Sequence, residues 1–205
     1  MNYIGIGALT ATVLALAGCQ ASPPARIEAR TAPNCPAPGS AVTLARALNL
    51  TSVGSRRYLA SEFADEQGLC VTSVGDRRLT WNLAGRIAAP AVRAEHAALQ
   101  AQITPLAVGK RAQTYVNLPE AVGLRSMQYQ VTLSVLRDER IGVPAGEFDT
   151  FVVEDRERNL NCIGIWQAWV DKKTFLPVRL HYETSNCLPP GQSDLVANRV
   201  IVPRS

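Results

Sequence analysis

The stretch Met127–Glu154, MQYQVTLSVLRDERIGVPAGEFDTFVVE, carries the clearest signal of fold class in the chain. Met127, Tyr129, Val131, Leu133 and Val135 alternate with Gln128, Gln130, Thr132 and Ser134. That period of two is the mark of a half-buried strand. Val143-Pro144-Ala145-Gly146 then reads as a turn, because Pro presets φ and Gly tolerates the left-handed position. Glu147–Val153 returns as a second strand, so the stretch predicts an antiparallel hairpin.

The pattern continues on both sides. Cys162–Val170, a turn over Asp171-Lys172-Lys173-Thr174, and Leu176–Thr184 predict another hairpin, and a last strand falls near Arg199–Val202. Upstream, Tyr58–Leu83 reads as strands punctuated by Gly68, Gly75-Asp76 and Gly85. Pro90–Ile103 is the strongest helical segment: Pro opens it, alanines fill it, and Val92, Leu99 and Ile103 recur at helical spacing. Ala41–Leu50 reads as a second, short helix, with Val42, Leu44, Ala45 and Leu48 near one face. The fold class is therefore mainly β, a β-rich α+β domain with one or two helices.

Residues 14–24, LALAGCQASPP, set the address. Tyr3–Ala17 is fifteen uncharged, largely apolar residues, short of the roughly 20 a spanning helix needs and matched to a signal-peptide core. Leu16-Ala17-Gly18-Cys19 resembles the lipobox of bacterial lipoproteins, which implies cleavage before Cys19 and lipidation of its thiol. Acyl chains at Cys19 make a stable membrane anchor. Gln20 in place of Asp implies sorting to the outer membrane of a Gram-negative cell, with the protein facing the periplasm. The competing reading, a buried N-terminal helix in a cytosolic protein, conflicts with the abrupt turn to Ser22-Pro23-Pro24.

Residues 1–18 are thus read as signal peptide and 19–40 as a lipidated, Pro-rich tether. Residues 41–205 are read as one periplasmic domain. Cys35, Cys70, Cys162 and Cys187 remain, an even number that reads as two disulfides with three connectivities. Cys162 and Cys187 lie nearly equidistant from the turn near residue 174, so antiparallel strands bring them together and leave Cys35 to pair with Cys70.

Val108-Gly109-Lys110, then Val143–Glu154, followed by Trp169 and Pro177-Val178-Arg179, resembles a pattern in uncharacterised bacterial envelope proteins. That resemblance implies a curved antiparallel sheet or open half-barrel, like lipoprotein-localisation factors, with a helix as plug. It assigns no catalytic residue.

Chemistry-bearing motifs are scarce. The net charge of +4 comes from 21 Lys and Arg against 17 Asp and Glu, scattered without a basic stripe, which argues against nucleic acid. No G-x-S-x-G, S-x-x-K or C-x-x-C occurs, so no catalytic residue is assigned. The two histidines, His96 and His181, have no carboxylate or second histidine at ligand spacing, so no metal and no cofactor are expected. His181 falls on the solvated side of its strand with Arg179 and Glu183. Glu154, Asp155 and Glu157, interleaved with Arg156 and Arg158, read as a charge-balanced strand end.

Trp166 and Trp169 point to opposite faces of one strand. A Trp with Tyr129, Phe148 or Phe151 is the candidate lining of an apolar pocket for a lipid-like ligand. The expected function is non-catalytic: a binding or scaffold module with an envelope protein as partner. A lipid carrier and a cell-wall hydrolase without a recognisable motif are the alternatives.

Overall fold

The computed structural model describes residues 34–46, 56–64, 68–74, 77–118, 127–186 and 191–203. The signal segment, the lipobox and most of the tether lie outside them.

Ten strands form one antiparallel sheet: β1 (Ala41–Arg46), β2 (Arg56–Ala64), β3 (Cys70–Val74), β4 (Arg77–Trp81), β5 (Arg111–Leu118), β6 (Met127–Val143), β7 (Gly146–Arg158), β8 (Ile163–Asp171), β9 (Pro177–Ser185) and β10 (Gly191–Ile201). A helix, α1 (Arg93–Ile103), follows a 3-10 turn at Pro90–Val92. The spatial order is β4-β3-β2-β1-β10-β9-β8-β7-β6-β5. Two meanders are thus joined where β1 pairs with β10. The sheet is large, curved and not closed, with β4 and β5 as its edges. The connection between those edges carries α1, so the helix crosses one face of the sheet and packs on β5 and β6.

α1 buries Leu99 and Ile103, as their spacing predicts, together with His96, Ala97 and Gln100. The Gln100 side chain fastens it, accepting from the Leu83 N–H at 2.9 Å and donating to the Gly68 carbonyl at 3.0 Å. Beneath the helix, Val131, Leu133 and Val135 of β6 pack with Val153 of β7, Ala168 and Val170 of β8, and Trp81. Trp169, Val152, Val178, Val42 and Leu44 form a second cluster. Successive strand residues point to opposite faces, so Val153 serves the helix-bearing core and Val152 the other.

The β6–β7 hairpin runs longer than the predicted strands. A register shift between Val135 and Arg137 separates its helix-side half from its far half. The tip reaches the second cluster, where the Ala145 N–H donates to the Ala197 carbonyl at 3.0 Å and Val143 and Phe148 pack alongside.

One predicted element changes type. Ala41–Arg46 is a strand rather than the start of a helix. Val42 with Leu44 fits the period of a strand and Val42 with Ala45 that of a helix, so a run this short satisfies either. Pairing on both sides, with β2 and β10, decides for β, and Val42 and Leu44 are fully buried there.

Cys35 and Cys70 form a disulfide, with Cα atoms 5.5 Å apart. The second expected bridge, Cys162–Cys187, ends on a residue outside those described. Ile163 pairs with Ser185 beside it, so the β8–β9 register is antiparallel there, as the hairpin argument requires.

A buried carboxylate–imidazole cluster beside an open cleft

Asp155 and Glu157 stand on the same face of β7 as Val153, across from Leu133 and Val131 of β6. The segment that carries α1 over this face covers both, leaving Asp155 0% and Glu157 5% exposed. They are not a strand end balanced by its own neighbours: both are buried, and the cation at Glu157 is Arg86, from outside the strand. His96, also fully buried, reaches them from α1.

Asn82, just after β4, organises the group. Its Oδ1 accepts from the backbone N–H of Ala84 at 3.0 Å and of Arg86 at 3.2 Å, which fixes the amide orientation. Its Nδ2 therefore donates, to Asp155 Oδ2 at 2.6 Å and to His96 Nδ1 at 3.2 Å. With Nδ1 as acceptor, the neutral ring carries its proton on Nε2, which lies 3.8 Å from Glu157 Oε1. Arg86 Nη2 meets the same Glu157 oxygen at 2.5 Å. That contact is short but not aligned as a hydrogen bond; Glu157 Oε1, His96 Nε2 and Asp155 Oδ1 all lack an aligned partner among the described residues.

Burial first, and the Arg86 charge second, lower the His96 pKa from 6.5 to about 4. Burial, reinforced by the neighbouring Glu157, raises that of Asp155 from 3.8 to about 7 against the pull of Arg86 and Asn82.

His96, Asp155 and Glu157 place one potential ligand atom each within 4.8 Å of one another. However, Asp155 sits at Nδ1, 3.4 Å away, and Glu157 at Nε2. One ion takes one ring nitrogen, Asn82 already engages Nδ1, and Arg86 already supplies positive charge. The arrangement is that of a proton-holding network rather than a convergent metal site.

Arg86 also faces outward. Its guanidinium lies 4.7 Å over the Trp166 ring, and Trp166 packs 4.9 Å from Tyr182. With Ile87, Leu180 and Leu195 they line an open cleft of about 440 Å³ on the helix-bearing face. A much smaller space of about 10 Å³ adjoins it, between Trp81, Leu79, Ile87 and Leu180.

Of the five aromatic candidates, Trp166 lines this cleft. Trp169 is on the opposite face, 5% exposed, its N–H donating to Glu139 and its ring 4.4 Å beneath Arg179. Phe148 packs in the same cluster, while Phe151 and Tyr129 flank the helix-side core. The structure therefore distributes them over two faces. His181 points to the side away from the helix, with Nδ1 3.3 Å from Asp194 and Nε2 3.5 Å from Glu183. Cys19 lies outside the described residues.

Sequence reasoning missed Asn82, Arg86, His96, Asp155 and Glu157 as a group. Part of the signal was there: Asp155 and Glu157 continue the inward phase of Val153, and His96 falls three and seven residues before Leu99 and Ile103 on one helical face.

No protein-family model matches the chain, and no curated protein matches it significantly. Among solved structures, the hypothetical lipoprotein YmcC from Escherichia coli (K12) aligns at a TM-score of 0.46 and 12% identity, over 82% of this chain and 86% of that one.

Proposed function

We propose that this chain is a lipid-anchored protein of the bacterial envelope, attached through Cys19, whose β domain is a non-catalytic binding module. Leu16-Ala17-Gly18-Cys19 supports the anchor and Gln20 the outer membrane. The observation that carries the binding role is the open cleft of about 440 Å³ beside Arg86, Trp166 and Tyr182, within the size range of ligand sites. The cleft opens to solvent beside these side chains, which favours a ligand or partner segment held at the sheet surface.

A hydrolase reading draws no support from the carboxylates. Asp155 is fully buried, and among the described residues neither it nor Glu157 bonds a hydroxyl nucleophile.

Native mass spectrometry of the secreted chain carrying Cys19→Ala, purified without delipidation, tests the proposal. A co-purifying mass lost on organic extraction, and lost again in a Trp166→Ala variant, is expected for a small ligand. A bare protein mass, with no crosslinked partner in the intact envelope, would sink it.

A further inference from the structure

Arg86 has two roles at once: it lines the cleft over Trp166 and it is the counter-ion of Glu157 inside the cluster. It is the cationic side chain of the cleft lining; the other members there are apolar, aromatic, hydroxyl-bearing or the His181 position, whose imidazole engages Asp194 and Glu183. The guanidinium has five N–H donors in a fork suited to a carboxylate. One of its nitrogens, Nη1, bonds the Ile87 carbonyl at 2.9 Å, and Nη2 touches Glu157 without hydrogen-bond alignment.

Resting on the binding role argued above, we propose that the cleft takes a monoanionic amphiphile. Its carboxylate-type head draws Arg86 away from Glu157, so that binding is coupled to uptake of one proton by the buried cluster. The apolar body lies along Leu180, Leu195 and Tyr182. Once Arg86 turns to the ligand, Glu157 is a buried carboxylate beside Asp155, and leaving it unpaired and charged is costly. The charged and titratable groups facing it are Arg86 from the loop after β4, His96 from α1 and Asp155 from its own strand. Its cross-strand neighbours, Val131 and Gly164, bring no charge. A proton from solvent, taken by the adjacent Asp155–Glu157 carboxyl pair, restores neutrality, because the Asn82 amide already donates to His96 Nδ1 and leaves the ring no site for a second proton. The lowered His96 pKa and raised Asp155 pKa describe the same site before binding: below about pH 7 a proton is held on the carboxyl rather than the ring.

The test is titration of the secreted Cys19→Ala chain with sodium decanoate and, separately, decanol, followed by tryptophan fluorescence and calorimetry between pH 6 and 8.5. Decanoate should bind at least about tenfold more tightly than decanol, and its affinity should fall up to about tenfold per unit rise in pH in the upper part of that range, as uptake of one proton requires. Arg86→Gln should abolish the preference for decanoate over decanol. Glu157→Gln, which keeps the shape and removes the competing charge, should keep the preference and flatten the pH dependence. Far-UV circular dichroism identifies a variant that has failed to fold, and Arg86→Lys then replaces Arg86→Gln, with a partial loss of preference expected. Equal affinity for decanoate and decanol overturns the head-group assignment while the cleft remains a binding site. A preference without pH dependence overturns the coupling. Binding of neither probe overturns the ligand class, and the mass spectrometry above decides the binding role independently.

Discussion

Asp155 Oδ2 and His96 Nδ1 stand 3.4 Å apart, with the Asn82 amide bonded to both. Burial inverts their solution order, so that the carboxyl holds a proton at a pH where the imidazole does not.

That inversion gives opposite pH slopes that cancel in the native protein. Asp155, raised from 3.8 to about 7, contributes stability that is present at low pH and lost as pH rises through that window. His96, lowered from 6.5 to about 4, contributes stability present above that window and lost as pH falls through it. Over the shared range from about 4 to 6.5 the native chain should show a flat contribution from the pair. Asp155→Asn should leave a stability that rises with pH there, and His96→Gln one that falls. Urea midpoints at pH 4.5, 5.5 and 6.5 read both; parallel profiles in all three proteins would contradict the inversion.

Asn82→Ala should be among the most damaging single changes away from the apolar core. It removes the acceptor for two backbone N–H groups and the donor shared by Asp155 and His96. Leaving buried polar groups unpaired costs roughly 1–3 kcal/mol each, so a loss of about 3 kcal/mol is expected. Denaturant unfolding measures it, with an unchanged m-value marking a stability effect alone.

Gly164→Ala should disturb the cleft. A Cβ there would lie 2.6 Å from two carbons of the Trp166 ring, so the indole must lift from the strand and from its place under Arg86. The expected cost is about 1–3 kcal/mol, with altered near-ultraviolet circular dichroism and unchanged far-ultraviolet signal. An unaltered tryptophan environment would mean that the ring does not lie over Gly164.

Replacing both Cys35 and Cys70 by Ser should lower stability by about 4 kcal/mol, from the loop entropy of a bridge spanning 35 residues. The loss should be matched by reduction of the native bridge, read as thermal midpoints of the two proteins. A much smaller loss would place the 34–46 segment's hold on the body in β1 pairing instead.

The local elements were legible because their information is local. Alternation in Met127–Val135 and the Val143–Gly146 turn need only neighbouring residues to specify a hairpin, and the spacing of Leu99 and Ile103 needs only one helical face. Ala41–Arg46 was not legible, because over six residues Val42 with Leu44 fits a strand and Val42 with Ala45 a helix, and its pairing with β10 joins positions as far apart as Ala41 and Ile201.

The cluster lies further still from local reading. His96 and Asp155 are separated in sequence by 14 and 73 residues from Asn82, the donor that joins them, and the inward phase that Asp155 shares with Val153 does not say what meets it there. By itself the sequence determined a β-rich domain and the helix after Pro90, and it carried a lipobox-like motif followed by a Pro-rich stretch, because periodicity, turn chemistry and signal motifs act over a few residues. Only the tertiary structure decided that α1 crosses from one sheet edge to the other. That crossing excludes water from β7 and turns two ordinary carboxylates and a histidine into a buried proton-holding site joined to the cleft by Arg86.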